Sequence, residues 1–444
     1  MTARDVQVGV AIDGVDVLDA AIERLTVPWG RDSLDDQPDT STAKLTLDVT
    51  RAGWDTNALP FALGSEVVIT ATHSGGDVLV FRGALDEPAL YFDHATEHVH
   101  LTVTADDPLA DLAALYVGDE PWPLQTAQER VDAILALIPT QIVFGASWLS
   151  GGLAELPERL WTIQERDVDR QPALTLLHQL AQSTDTACYI IPGPMIGGDP
   201  EADPPVPPNI RTNLLLFHGL SLDHPGYEFA EVGGVFVRQL VTASAELTLS
   251  ADHLRPDTEY TRARAQLLTD ATVVYEPTPG NEAEVRITAD LSGIYRRLRR
   301  ETALSELTEA TQLVERLWSR NQPTWHTDTL TWDADDGGTE ANMLAVLDAS
   351  TRIGLATLIA DMPAWVPTEA HFVFIEGGTI EYVADQLDHD DAHSGRWIVT
   401  MNVVPSTGVG RGISYAEALA NHPTMTYANI DPGISYRDAL SIGV

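Results

Sequence analysis

Hydrophobic and polar residues alternate at the start of the chain. Val6, Val8, Val10 and Ile12 take every second position, and Asp13-Gly14 follows as a turn. Ala43, Leu45, Leu47 and Val49 repeat the period of two, as do Val99, Leu101 and Val103. Residues 67–72 and 78–81 flank His73-Ser74-Gly75-Gly76-Asp77, a Gly-rich hairpin connection. These strands lie too close together for crossover helices, so residues 1–106 are expected to form an antiparallel barrel or sandwich.

The period then lengthens. Asp107-Pro108 supplies an N-cap and a first-turn proline for a helix with Leu109, Leu112 and Leu115 on one face. Val131, Ile134, Leu135 and Ile138 mark a second helix. Ala173, Leu177, Leu180 and Ala181, after Gln171-Pro172, mark a third. Strands are expected at 187–191 and 213–217, with a Pro-rich loop at 192–209 between them. Residues 107–234 therefore read as a mixed α/β middle domain. In 235–345 strands at 235–241, 245–249, 271–275 and 284–288 precede a long helix over 302–320. Leu304, Leu307, Val314 and Leu317 share a face of that helix. Strands are again expected at 330–332, 371–375, 379–384 and 397–404, with Gly377-Gly378 as a tight turn, so 346–405 reads as a terminal barrel-like part. Residues 406–444 show weak periodicity and read as an extended segment packed on a neighbour; no repeat at a fixed short period is evident. The fold class is β-rich α+β and multidomain: antiparallel barrel or sandwich domains with a helix-containing middle.

Composition narrows the function. No stretch of the 444 residues approaches the ~20 apolar positions that span a bilayer. The opening Met1-Thr2-Ala3-Arg4-Asp5 leads into an alternating segment, so neither secretion nor membrane insertion is expected. The formal net charge is −40, and Lys44 is the sole lysine. A field of that sign repels phosphate, which argues against specific nucleic-acid binding. Codon bias, salt adaptation, or a channel wall past which DNA slides would each produce such acidity.

Candidate chemistry is sparse. Cys188 is the single cysteine, so neither an intrachain disulfide nor a thiolate zinc cage can form; its apolar surroundings point to a buried, inert thiol. The densest ligand cluster is Asp388-His389-Asp390-Asp391-Ala392-His393, in which His389, Asp391 and His393 have metal-ligand character, although a polar hairpin tip explains it more simply. His98 and His100 share a strand face near His94, where exposed strand histidines are the simpler reading. Tyr295-Arg296-Arg297-Leu298-Arg299-Arg300 is the one basic patch; it suits a phosphate or a partner's carboxylates, and better still this chain's own acid. No GxxxxGK[ST], GxSxG or HExxH pattern occurs, so no catalytic residue, cofactor or enzymatic role is assigned.

A family resemblance enters between Val27 and Asp48. Val27-Pro28-Trp29-Gly30-Arg31, then Gln37-Pro38 and Ala43-Lys44-Leu45-Thr46-Leu47-Asp48, resemble the opening of minor tail proteins of siphophages that infect actinobacteria. That family has a Gly-Arg turn, a Gln-Pro dipeptide and a strand of this type. Leu79-Val80-Phe81-Arg82-Gly83 and Val103-Thr104-Ala105-Asp106-Asp107-Pro108 are similar too, while Val49-Thr50-Arg51 replaces the family's usual Asn-Arg-Asp-like turn. The ordered likeness runs from about residue 5 to 405.

The resemblance implies a tail-tip structural protein, organised like the trimeric baseplate hubs of contractile tails. It implies a homotrimer around the tail channel, with a distal tail protein, a tape measure protein and other minor tail proteins as partners. It implies location in the virion tail after synthesis in the host cytoplasm, with the host envelope met indirectly during attachment and genome delivery. A receptor- or carbohydrate-binding tail protein would need an exposed aromatic groove. A tail-associated cell-wall hydrolase would need an acid/base pair in a cleft.

Overall fold

The computed structural model describes residues 2–18, 21–33, 36–73, 76–94, 97–138, 142–150, 156–196, 210–219, 227–232, 235–240, 247–255, 258–261, 268–289, 296–319, 326–350, 352–366, 371–385 and 395–405. The first stretch forms β1 (Gln7–Ile12), β2 (Val15–Val17), β3 (Ile22–Gly30), β4 (Thr42–Asp48), the one-turn α1 (Val49–Ala52), β5 (Glu66–His73), β6 (Gly76–Asp93) and β7 (His98–Asp106). The middle contains α2 (Leu109–Ala114), β8 (Tyr116–Val117), β9 (Gln125–Thr126), α3 (Ala127–Leu135), β10 (Ile142–Ser150), β11 (Thr162–Ile163) and β12 (Gln171–Pro172). It continues with α4 (Ala173–Ser183), β13 (Thr186–Ile196), β14 (Ile210–Gly219), β15 (Tyr227–Val232) and β16 (Val235–Leu240). Then follow β17 (Leu247–Ser250), β18 (Asp270–Thr278), β19 (Asn281–Thr288), β20 (Arg297–Glu301), α5 (Leu307–Ser319) and β21 (Thr329–Asp333). The last elements are α6 (Glu340–Ala349), β22 (Leu355–Ala360), β23 (Phe372–Ala384) and β24 (Gly395–Pro405).

Among the described residues the largest sheet has 12 strands in the order β17-β22-β23-β3-β4-β7-β6-β5-β1-β2, with β24 on β23 and β21 on β24. It joins the two ends of the described chain, because β23 pairs β3 from Gly377↔Gly30 to Val383↔Arg24. The expected alternation is what buries one face: Val8, Val10 and Ile12 of β1, Leu45 and Leu47 of β4, and Leu101 and Val103 of β7 enter one core with Trp332 and Trp397. Each such side chain contributes about 1.5–3 kcal/mol on leaving water. Trp397 also donates Nε1–H to the Val6 carbonyl at 3.1 Å, which ties β24 to the start of the chain. A second core joins α2, α3, α4, α5 and the sheet strands beneath them through Leu112, Val131, Leu177, Phe217, Val273 and Val314. The chain is thus β-rich and multidomain. Most pairings are antiparallel, but β10–β14, β17–β22 and β18–β20 are parallel. No described helix is long and apolar enough to cross a membrane.

The hairpin between β5 and β6 forms, with His73 pairing Gly76 across residues that lie outside the described set. β6, however, runs far beyond 78–81 and pairs β7 out to Asp93↔His98, making a long arm. The expected loop at 192–209 begins later, because β13 continues to Ile196 through a bulge between Pro192 and Met195. Proline is tolerated there because β13 is an edge strand, in the order β10-β14-β13; the rest of that loop lies outside the described residues. The extended reading of 406–444 does too.

Gly377-Gly378 makes no turn. β23 passes straight through it, with a bulge between Ile375 and Gly377. The glycines are needed for close approach instead. Gly378 has φ +147°, and a Cβ there would run into the Thr400 carbonyl of β24. Gly378→Ala is expected to destabilise the chain by about 1–3 kcal/mol, read as a lower urea midpoint at unchanged slope.

Candidate functional site

The loop between β3 and β4, residues 31–41, fastens the large sheet to the middle of the chain. It starts at Gly30, whose φ of +71° lies in the left-handed region. A side chain at Gly30 would collide with the backbone of Glu376 and Gly377. The left-handed step turns Arg31 inward. Its backbone N–H donates to the Glu376 carbonyl at 2.8 Å. Its guanidinium Nε donates to Glu376 Oε2 at 2.6 Å, with the two side chains 5% and 0% exposed. The same guanidinium donates to the Asp36 carbonyl at 3.1 Å, which shapes the loop that follows.

Gln37 then reaches the edge of β13. Its Nε2 donates to the Thr186 carbonyl at 2.8 Å, and its Oε1 accepts the Cys188 N–H at 3.0 Å. A primary amide has the donor and acceptor of a peptide group, so Gln37 stands in for one residue of a neighbouring strand. Asp107 completes the junction. Its carboxylate accepts the Ser41 N–H and the Leu109 N–H, both at 3.0 Å, and so links the end of the loop to the start of α2.

Asp107 is 9% exposed. Burial pushes its carboxyl up to about 7, against the pull of the Ser41, Leu109 and Ala110 N–H groups. Nearby on α4, burial holds the His178 imidazole down at about 4, although Asp39 works the other way. Asp107 has a folded value above its unfolded one. Its contribution to stability is therefore fully present below about pH 4 and is lost as pH rises through 7. Unfolding free energy of the native chain, compared with Asp107→Asn, is expected to fall across that window. Denaturant titrations at pH 5 and pH 8 check it, and parallel profiles for the two chains would contradict it.

The junction borders an open cavity of about 220 Å³ between β3, β6, β13 and the end of α6. Trp29, Phe81, Tyr189, Ile191 and Ile353 supply apolar wall, with Asp107 at one side. The buried Trp29 Nε1–H has no hydrogen-bond partner.

The residues singled out from sequence fall elsewhere. His98 Nδ1 meets Asp48 Oδ2 at 2.5 Å and His100 Nδ1 meets Glu23 Oε2 at 2.9 Å, so each ring has its own carboxylate. His94 packs edge-on against Phe92. No three metal-ligating side chains converge among the described residues, and His389, Asp391 and His393 lie outside them. Cys188 is buried in β13, and burial pushes its thiol far above the ordinary value. The basic patch becomes β20 and pairs with this chain's own acid: Arg297 with Asp270, Arg299 with Glu284, and Arg300 with Asp185 at 3.0 Å. Tyr295 lies outside the described residues. Asp107 meets the first turn of α2, where the sequence placed it as a cap, but its bond to Ser41 and the bridging role of Gln37 had no assignment from pattern; for Gln37 the amide before a proline in a polar loop was the available signal.

Comparison with known proteins adds a fold. No family model matches the chain, and no curated protein matches it. Among solved structures, the tail protein from Neisseria meningitidis MC58 superposes with a TM-score of 0.52 at 10% identity, over 91% of this chain and 98% of its own. The chain shares the fold of that tail protein. Two others match with lower scores: the 43 kDa tail protein of prophage MuSo2 from Shewanella oneidensis (TM-score 0.47, 12% identity, 91% of this chain and 99% of its own), and a prophage tail protein from Listeria monocytogenes EGD-e (0.44, 12%, 89% and 94%).

Proposed function

We propose that this chain is a structural component of a phage tail tip: a hub-type protein that forms a homotrimer around the tail channel and acts by assembly, without enzymatic activity. The observation that carries this reading is the fold shared with the Neisseria tail protein over nearly the whole of both chains. It agrees in kind with the siphophage resemblance of Gly30-Arg31 and Gln37-Pro38, whose side chains hold the junction.

Three physical features support it. The β6–β7 arm carries Leu90, Tyr91 and Phe92 at 45%, 56% and 48% exposure, an apolar tip suited to burial against a neighbour. Open strand edges, such as β20 and β10, call for covering, and a closed ring of heterologous contacts covers them. With a net charge of −40, a channel built from these chains would let DNA pass without holding it. In this reading the trimer links the tube and a distal tail protein to the tip, beside the tape measure protein and other minor tail proteins, during host attachment and genome delivery.

Cryo-electron microscopy of intact tails, with mass photometry of the purified chain, tests it. Three copies in a ring at the tip are expected. A stable monomer at micromolar concentration that is absent from tail particles would sink the proposal.

A further inference from the structure

A second, smaller cavity of about 60 Å³ lies in the middle of the chain, between α3, α4 and the backbone around Gln164 and Ala303. Arg130 of α3 and Arg166 both line it. Two basic side chains on one small cavity stand out in a chain with 66 acidic residues to pair with.

Arg130 is 4% exposed. Its Nε donates to Gln125 Oε1 at 2.8 Å, and its Nη2 donates to the Pro123 and Gln164 carbonyls at 3.1 and 2.9 Å. All three acceptors are neutral. The guanidinium lies over the Trp122 ring, 5.0 Å from its centre. Burial, with the like charge of Arg166 beside it, brings Arg130 down to about 10, so it stays cationic at neutral pH. Arg166 donates to Gln179 Oε1 at 3.5 Å and to Asp169 Oδ2 at 2.6 Å. Its Nε–H is buried without an acceptor, and Gln164 Oε1 is buried without a donor. Asp169 offsets one of the two guanidinium charges; among the described residues no carboxylate offsets the other.

Ile134, Leu176 and Leu180 supply apolar wall. In such a medium an uncompensated charge and an unmade hydrogen bond each cost stability. One negative charge removes both costs, because it balances the guanidinium pair and accepts from Arg166 Nε–H. A water needs at least about 10–15 Å³ of such space, so the cavity of about 60 Å³ admits a small ion and one water but no large ligand. That water donates to Gln164 Oε1 and to the ion. Gln179 is exposed and gives a path from solvent. The surrounding backbone is already fastened: Trp122 and Arg166 exchange hydrogen bonds at 2.9 Å in both directions, and Gln164 N–H donates to the Ala303 carbonyl at 2.8 Å. The donors are therefore held in place before any ion arrives.

We infer that this cavity binds one small monovalent anion, of the size of chloride or formate, between Arg130 and Arg166. The inference stands apart from the tail-tip reading and survives its failure.

The test uses the full chain. Urea midpoints are measured at fixed ionic strength while sodium chloride replaces sodium gluconate, whose anion is too large for the cavity. Fixed ionic strength separates binding from screening of the chain's own negative charge. The native midpoint should rise with chloride and level off below the physiological ionic strength of about 0.15 M. Formate should act in the same way. Arg166→Gln should raise the half-saturating chloride concentration about tenfold or more, and Arg130→Met should abolish the response. Crystals grown in bromide should show one anomalous peak touching Arg130 and Arg166. Equal midpoints in chloride and gluconate, a native response retained by Arg166→Gln, or water alone in the cavity of bromide-grown crystals each overturn the inference. If Arg130→Met folds poorly, the native titration and Arg166→Gln still decide, because the Arg166 side chain is 20% exposed and its replacement is tolerated.

Discussion

Arg31→Met is expected to lower the free energy of unfolding by about 3–5 kcal/mol. The substitution keeps much of the side-chain volume and removes the charge. It leaves Glu376, which is 0% exposed, without the guanidinium that now meets its carboxylate at 2.6 Å. A buried carboxylate stripped of its partner must stay ionised in a poor medium or take up a proton, and both routes cost stability. The Asp36 carbonyl loses a donor at the same time. The pair itself need not be a net gain over apolar packing, so Arg31→Met combined with Glu376→Leu should recover most of the loss. Urea unfolding followed by tryptophan emission measures all three chains. A loss below about 1 kcal/mol for the single variant would refute the argument, because it would mean that Glu376 finds water or another donor. The effect should spread along the loop, since Gln37 reaches β13 only while Arg31 holds the loop against β23.

The strands that pattern reading found are those whose period of two runs unbroken from end to end. β1, β4 and β7 alternate cleanly because one face is buried in a single core. β3 escaped because a bulge between Ile22 and Arg24 breaks its alternation, so Ile22, Leu25 and Val27 fall out of register on paper while sharing that core in space. α6 escaped for the opposite reason. Met343, Leu344, Val346, Leu347 and Ala349 are buried, but the exposed face includes Ala341 and Ala345 beside Asp348, so it carries too little polarity to reveal a helical period. Gly377-Gly378 reads as a turn from composition, and only the partners β3 and β24 on either side show why it is a site of close approach. Parallel pairs such as β17–β22 join residues more than a hundred positions apart, and no local pattern encodes that. At the junction, Gly30-Arg31 and Gln37-Pro38 stood out in the sequence by resemblance. Their contacts did not, because Glu376, Thr186 and Cys188 are all remote in the chain.

Trp397→Ala should cost about 3–5 kcal/mol, and Trp397→Phe about 1–2 kcal/mol. The indole is fully buried and packs edge-on against Tyr382 with ring centres 5.2 Å apart. Truncation to alanine leaves a void that the surrounding strands cannot fill without breaking their pairing. Phenylalanine fills most of it but leaves the Val6 carbonyl without the indole N–H that now meets it at 3.1 Å. The two variants therefore separate packing from the hydrogen bond. They also probe cooperativity. β23 pairs β3, and the side chains of β1, β4, β7 and β24 share one core, so damage at Trp397 should be felt by strands near residue 10 as strongly as by those near residue 400. Hydrogen exchange on Trp397→Ala should show 7–12, 42–48 and 395–405 opening with one common free energy. Were 395–405 to open alone while 7–12 kept native protection, the terminal strands would be an add-on to an independently stable N-terminal unit. The pairing of β23 with β3 would then be a contact and not a shared foundation.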